Sequence, residues 1–270
     1  MDRRRFLSIS ATAATGLPVA SMRDHAQSDS WQPDGAGTIA RFGVLTPDFD
    51  ANPESELWAM APRGVSLHTS RVRRTGGQGA SLVEAPNIDE AIDRLAEVRP
   101  KAILLGYTSS SYALGAEADR RVQARLEERA KGTRVIFPAI AALVAFRQLG
   151  AQRIALIHPP WWTETAHRQG CAYWRAAGFD VRDCFRMQGS PVLAEVAPRE
   201  VFDAVVAHTP NDAQAVFIGG NGMRAVGAIA ALEKQLGRPV LTANQIILWQ
   251  ALVMIGQTRA VTRYGRIFLT

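Results

Sequence analysis

The stretch AVFIGGNGMRAVGAI, residues 215–229, decides the fold. It passes from a continuous apolar run through a glycine-rich bend into residues with helical spacing, the strand–turn–helix order of an α/β unit. A strand that is apolar without alternation is covered on both faces, the condition of a parallel sheet. Working outward, such runs recur at 41–46, 64–69, 102–106, 134–137, 153–158, 179–185 and 239–243. Helical segments separate them at 86–98, 114–131, 139–149, 163–177, 199–208, 223–236 and 244–255. Several end on Leu-Gly or a lone glycine, which tolerates the left-handed conformation of a helix stop. The expected class is α/β.

The chain also echoes itself. GVLTPDFD at 43–50 and IALIHPPWW at 154–162 each run a strand into a proline turn, while AILLGYTSSSYALG at 102–115 and AVFIGGNGMRAVGA at 215–228 each end a strand in small residues before a helix. This repetition implies two pseudosymmetric, three-layer lobes with parallel sheets, 39–150 and 151–270, whose small-residue bends face an interlobe cleft at the carboxyl ends of the strands.

Composition narrows the partners. The chain of 270 residues carries a net charge of +6, and all but three of its 31 basic residues are arginine. These alternate with acidic residues along segments such as EADRRVQARLEERAK, which makes a solvated helix face rather than a nucleic-acid stripe. Residues 1–38 read as a signal and linker: MDRRRFL followed by a short alanine- and serine-rich apolar stretch has the order of a twin-arginine export signal, implying the periplasm, against a basic cytoplasmic tail as the alternative. No run reaches membrane-spanning length, so no stable membrane insertion is expected. The two cysteines, Cys171 and Cys184, and the five histidines show no metal-ligand spacing, so no metal is expected. Sequence leaves open whether the cysteines meet.

The glycine bend admits three readings. Gly220–Ala225 formally fits GxGxxA, but no acidic residue follows the next strand to hold a ribose, and the motif falls late in the chain, which argues against a dinucleotide. A helix start with bare backbone can instead cradle a carboxylate, with Gly220, Asn221 and Gly222 on one side and Thr108 and Ser109 on the other. The plain alternative is a tight connection with Thr108 and Ser109 as helix caps. Trp161, Trp162 and Trp249 are candidates for either an apolar subsite or the core.

With these segments in hand, the chain resembles the maleate isomerase and arylmalonate decarboxylase branch of the aspartate/glutamate racemase superfamily over nearly all of residues 40–268. The most specific pieces are LGAQRIAL at 149–156, EKQLGRPVLTANQ at 233–245 with Trp249 after it, and YGR at 264–266. The resemblance implies a small carboxylate or dicarboxylate ligand, an enediolate-like intermediate, no cofactor, and a homo-oligomer. It also exposes a departure. Where the family places one thiol on each bend, or only the second in the decarboxylases, this chain has Tyr107 and Gly220. The family's asparagine after the first strand falls at Asp50, and its tyrosine after the fifth near Pro160 or Trp161. Tyr107 is then the candidate catalytic proton donor, with Asp50 and Trp161 as ligand-binding residues. A phenol, with its free pKa near about 10, gives up a proton more readily than it takes one. The other class of reading is an exported, non-catalytic carboxylate-binding protein.

Overall fold

The computed structural model describes residues 34–74 and 79–270. The export signal expected at the N-terminus lies outside the described residues. Through Gly35–Thr270 the chain folds as one unit. The elements run β1 (Ala40–Pro47), α1 (Asn52–Met60), β2 (Val65–Val72), α2 (Asn87–Glu97), β3 (Ala102–Leu105), α3 (Ser109–Leu114), α4 (Ala116–Arg129), β4 (Arg134–Ile136) and α5 (Pro138–Gln148). The second half repeats the plan with β5 (Arg153–His158), α6 (Glu164–Ala176), β6 (Asp180–Arg186), α7 (Pro198–Ala207), β7 (Ala215–Ile218), α8 (Ile229–Leu236), β8 (Val240–Thr242) and α9 (Ala243–Met254).

The strands form two four-stranded parallel sheets with matching orders, β2-β1-β3-β4 and β6-β5-β7-β8. Among the described residues, all eight strands fall within a residue or three of the apolar runs that mark them in the sequence. The central strands β3 and β7 are buried at every position, as unalternating runs require. One apolar core spans both sheets: Phe42 and Leu104 share it with Leu156 and Phe217. The last helix of each half crosses over. Phe146 of α5 packs its ring on Phe217 of β7 and Trp174 of α6, while α9 lies against β3, β4 and α1. Among the described residues, no helix is long and apolar enough to cross a membrane.

One helical expectation changes. The helix placed at 223–236 begins later, with a single 3-10 turn at Val226–Ala228 leading into α8, so the glycine bend does not open directly onto an α-helix. The expected helix at 114–131 is α4; the short α3 stands ahead of it as an additional helix, divided from it at Gly115, whose φ of +77° suits glycine. Helix α1 went unrecognised, although Pro53 in its first turn is a common helix opening.

Candidate active site

Because both sheets are parallel, the bends after β1, β3, β5 and β7 all lie at carboxyl ends. They close around one cavity of about 340 Å³. Phe49, Asp50 and Arg74 line it from the first sheet, with Tyr107, Thr108 and Ser109 from the bend after β3. Trp161, Trp162, Pro191 and Leu193 join them from the second sheet, with Gly220, Asn221 and Gly222 after β7. Tyr107, Thr108, Ser109, Gly220, Asn221, Gly222, Asp50 and Trp161, together with Trp162, therefore share a wall. Trp249 does not; it is buried in the core.

The two bends meet directly. Thr108 Oγ1 donates to Asn221 Oδ1 at 2.6 Å, Asn221 Nδ2 donates to Asn244 Oδ1 at 2.7 Å, and Asn244 Nδ2 donates to Glu56 Oε2 at 2.8 Å. Both Glu56 oxygens accept N–H groups here, and the Asn244 amide that points at Oε2 orients Asn221 and Thr108 in turn. Thr108 consequently spends its proton on Asn221, and Asn221 commits one of its two amide protons to Asn244. The Thr108 hydroxyl is therefore not offered to a ligand, and among the described residues its side chain makes no helix-cap hydrogen bond.

Helix α1 organises the glycine bend. Asn52 and Glu56 stand four residues apart on one helix face. Asn52 Nδ2 donates to the carbonyls of Asn221 and Met223 at 3.0 and 2.8 Å, and Glu56 Oε1 accepts the N–H groups of Ala225 and Val226 at 2.6 and 2.9 Å. The anion at the start of this turn is thus the protein's own. What remains for a ligand is the bare backbone upstream: the N–H groups of Gly220, Asn221 and Gly222 have no acceptor among the described residues. Burial pushes the Glu56 carboxyl up to about 7, against the pull of Asn244 and the two amides.

Asp50 is the carboxyl on the cavity wall. Its Oδ1 accepts the Asn52 N–H at 3.0 Å, and burial raises it to about 6, with that N–H and Arg71 opposing. A Cβ on Gly222 would lie 2.9 Å from Asp50 Oδ2 and 2.8 Å from a Leu193 methyl, so only glycine lets the carboxyl rest against this bend. Arg74 stacks 4.6 Å above the Phe49 ring and supplies a cation at the rim. Tyr107 Oη accepts the Gly79 N–H at 3.2 Å, which leaves the phenolic hydrogen uncommitted by that bond.

Gly220 has φ of +91°, and a Cβ there would meet the Pro159 ring at 2.8 Å. Any side chain at this position is both strained and obstructed. Cys171 and Cys184 form a disulfide and neither lines the cavity.

A parallel two-sheet α/β unit with a polar cleft between matching strand ends defines a class, and the comparisons supply the family. The sequence profile described as arylmalonate decarboxylase matches residues 71–268, and the chain belongs to that family. It is similar to the maleate isomerase of Geobacillus stearothermophilus, 25% identical over 83% of this chain and 95% of that protein. The maleate isomerase of Alcaligenes faecalis is 24% identical over 84% and 95%. Among solved structures, maleate isomerase Iso from Pseudomonas putida S16, in a cysteine-to-alanine form with maleate, aligns with a TM-score of 0.78 at 22% identity, covering 85% of this chain and 97% of that one. A crystal structure of arylmalonate decarboxylase aligns at 0.69 and 21% identity, covering 84% and 98%. These likenesses confirm the two-lobed α/β fold.

Sequence reading missed Asn52, Glu56, Asn244 and Arg74. The first two had a signal, the i, i+4 spacing behind Pro53; the others face partners that no local pattern reveals.

Proposed function

We propose that this chain is an enzyme that removes a carboxyl group from a small dicarboxylate by proton-transfer chemistry, with no thiol taking part. The observation that carries the reading is the pairing, across one cavity, of three free amide N–H groups with a buried carboxyl raised to about 6. One ligand carboxylate rests on the amides of Gly220–Gly222. The departing carboxylate leaves as CO₂, and the electron pair of the broken C–C bond passes into the retained carboxylate as an enediolate. Preorganised amides stabilise that charge without reorganising. Protonated Asp50, lying against Gly222, then delivers a proton to carbon, and solvent reprotonates it. Tyr107 is the second donor on the same wall. Thiol addition, on which double-bond isomerisation could run, has no group to perform it at Gly220.

The second reading, a carboxylate-binding protein without catalysis, is favoured by the blocked Cβ position at Gly220. A thermal-shift screen of small dicarboxylates, followed by NMR for CO₂ loss or deuterium entering the α-carbon, separates them. Turnover that is lost in Asp50→Asn with ligand affinity kept supports the enzyme; stabilisation with neither reaction supports the binder. Full activity in Asp50→Asn together with loss in Tyr107→Phe moves the proton to the phenol.

We infer export through the twin-arginine signal at Arg3–Leu7 as the chain's destiny; the Cys171–Cys184 disulfide, a bond of oxidising compartments, supports it.

A further inference from the structure

Behind the tryptophans of the cavity wall sits a cluster the proposed chemistry does not use. His158 closes β5, Cys184 stands on β6 opposite Leu156, two residues before it, and His167 and Cys171 are one turn apart on α6. His158 Nδ1 and His167 Nδ1 face each other at 3.0 Å, and Cys171 Sγ is 3.9 Å from His167 Nε2. One ligand atom from each of the four residues falls within 4.8 Å of all the others.

One feature is odd for a plain cystine. The 3.0 Å pair is met by one neutral imidazole donating its Nδ1–H to the other, but His158 is wholly buried and its Nε2 has no hydrogen-bond partner among the described residues. Its ring is held instead by packing on Trp162 and Tyr112, at centroid distances of 4.7 and 5.7 Å.

We propose that, when the Cys171–Cys184 bond is reduced, His158, His167, Cys171 and Cys184 form a tetrahedral site for a thiophilic d10 cation of the Zn²⁺ class. Two thiolates and two neutral imidazoles are the donor set such ions prefer. With Zn–N near 2.0–2.1 Å and Zn–S near 2.3 Å, a tetrahedron has edges of about 3.3 Å between nitrogens and about 3.8 Å between sulfurs. The nitrogens, at 3.0 Å, stand about 0.3 Å inside the first spacing, and Cys171 Sγ lies 4.0 Å from His167 Nδ1; the nitrogens spread slightly and the sulfurs part to close round the ion. His167 and Cys184 are partly exposed and give the ion its way in. The S–S bond and the cation exclude one another. Opening the bond takes two electrons, supplied by a protein dithiol that itself becomes a disulfide, and each bound thiolate releases its proton.

The test uses the full chain and does not depend on the proposed reaction. A water-soluble phosphine reduces the disulfide: phosphorus attacks one sulfur, the other leaves as thiolate, and water completes the exchange to phosphine oxide and the second thiol. Co²⁺ is then added as the probe. The expected result is a one-to-one complex with sulfur-to-cobalt charge transfer and tetrahedral visible bands, bleached by equimolar Zn²⁺, and absent from the oxidised protein. His167→Ala, at a partly exposed position, should weaken binding at least about tenfold, and Cys184→Ser should remove most of the charge-transfer band. Circular dichroism checks that each variant folds; if Cys184→Ser does not, the band in the wild type and the His167→Ala shift decide. Reduced protein without those bands, equal bands in the oxidised protein, or unchanged affinity in His167→Ala overturns the site and leaves a structural cystine.

Discussion

Replacing Glu56 with glutamine isolates one carboxyl whose behaviour the buried network depends on. In the unfolded chain this group titrates at its ordinary 4.5; in the native fold, burial raises it to about 7. Between those values the native protein keeps a proton that the unfolded chain has lost, so stability falls as pH rises. At 1.36 kcal/mol per pH unit, the interval from 4.5 to about 7 amounts to about 3 kcal/mol. The full contribution is present below 4.5 and is gone above about 7. Glutamine has no such dependence. It carries a separate, pH-independent cost, because its NH₂ must oppose either Asn244 Nδ2 or the amides of Ala225 and Val226, leaving a buried donor unmatched at about 1–3 kcal/mol. Urea denaturation of both proteins, run from about pH 4 to about pH 8, reads the difference directly. The wild type should lead the variant most at low pH and lose about 3 kcal/mol of that lead by the top of the range. A lead that stays constant, or one that grows with pH, refutes the reasoning. The second outcome is the sign of a carboxylate whose three N–H donors outweigh its burial.

Thr108→Val removes the buried donor to Asn221 Oδ1 and should cost about 1–3 kcal/mol by the same denaturation assay, with no change in pH slope. Gly220→Cys returns a thiol to the family position but forces a side chain onto φ of +91° and against Pro159, so its melting temperature should fall by an amount matching about 1–3 kcal/mol, with no gain in turnover. If Asp50 is the acid, the rate should be constant below about 6 and decline above it as the carboxyl loses its proton; Asp50→Asn should lower the rate at least about 10²-fold on that plateau, with the gap narrowing as pH rises, as a stopped pH series would show.

The eight strands were legible because burial on both faces leaves a continuous apolar run, and the bends could be placed because each strand ends in glycine or small polar residues. Matching offsets between the halves carried the two-lobed plan. Helix α1 was hidden because ANPESELWAM offers no strong apolar face, and its task is polar: Asn52 and Glu56 reach partners about 170 residues away. The site residues could be collected from strand ends, but their polarity could not. That Thr108 commits its proton, and Asn221 one of its two amide protons, to a neighbour depends on Asn244 and Glu56, which only the fold brings together. The disulfide and the histidines beside it were illegible for the same reason: α6 carries a visible His167–Cys171 turn, whereas His158 and Cys184 join it only through the pairing of β5 with β6.

The central claim is that the ligand's carboxylate sits on unclaimed backbone N–H groups rather than at a helix start or against a thiol. A crystal structure of the protein with a small dicarboxylate such as malonate tests it most directly. The account predicts a carboxylate oxygen at about 2.9 Å from the N–H groups of Gly220–Gly222, with the ligand's central carbon beside Asp50. A carboxylate bound elsewhere in the cavity, with those three N–H groups still unclaimed, would contradict it.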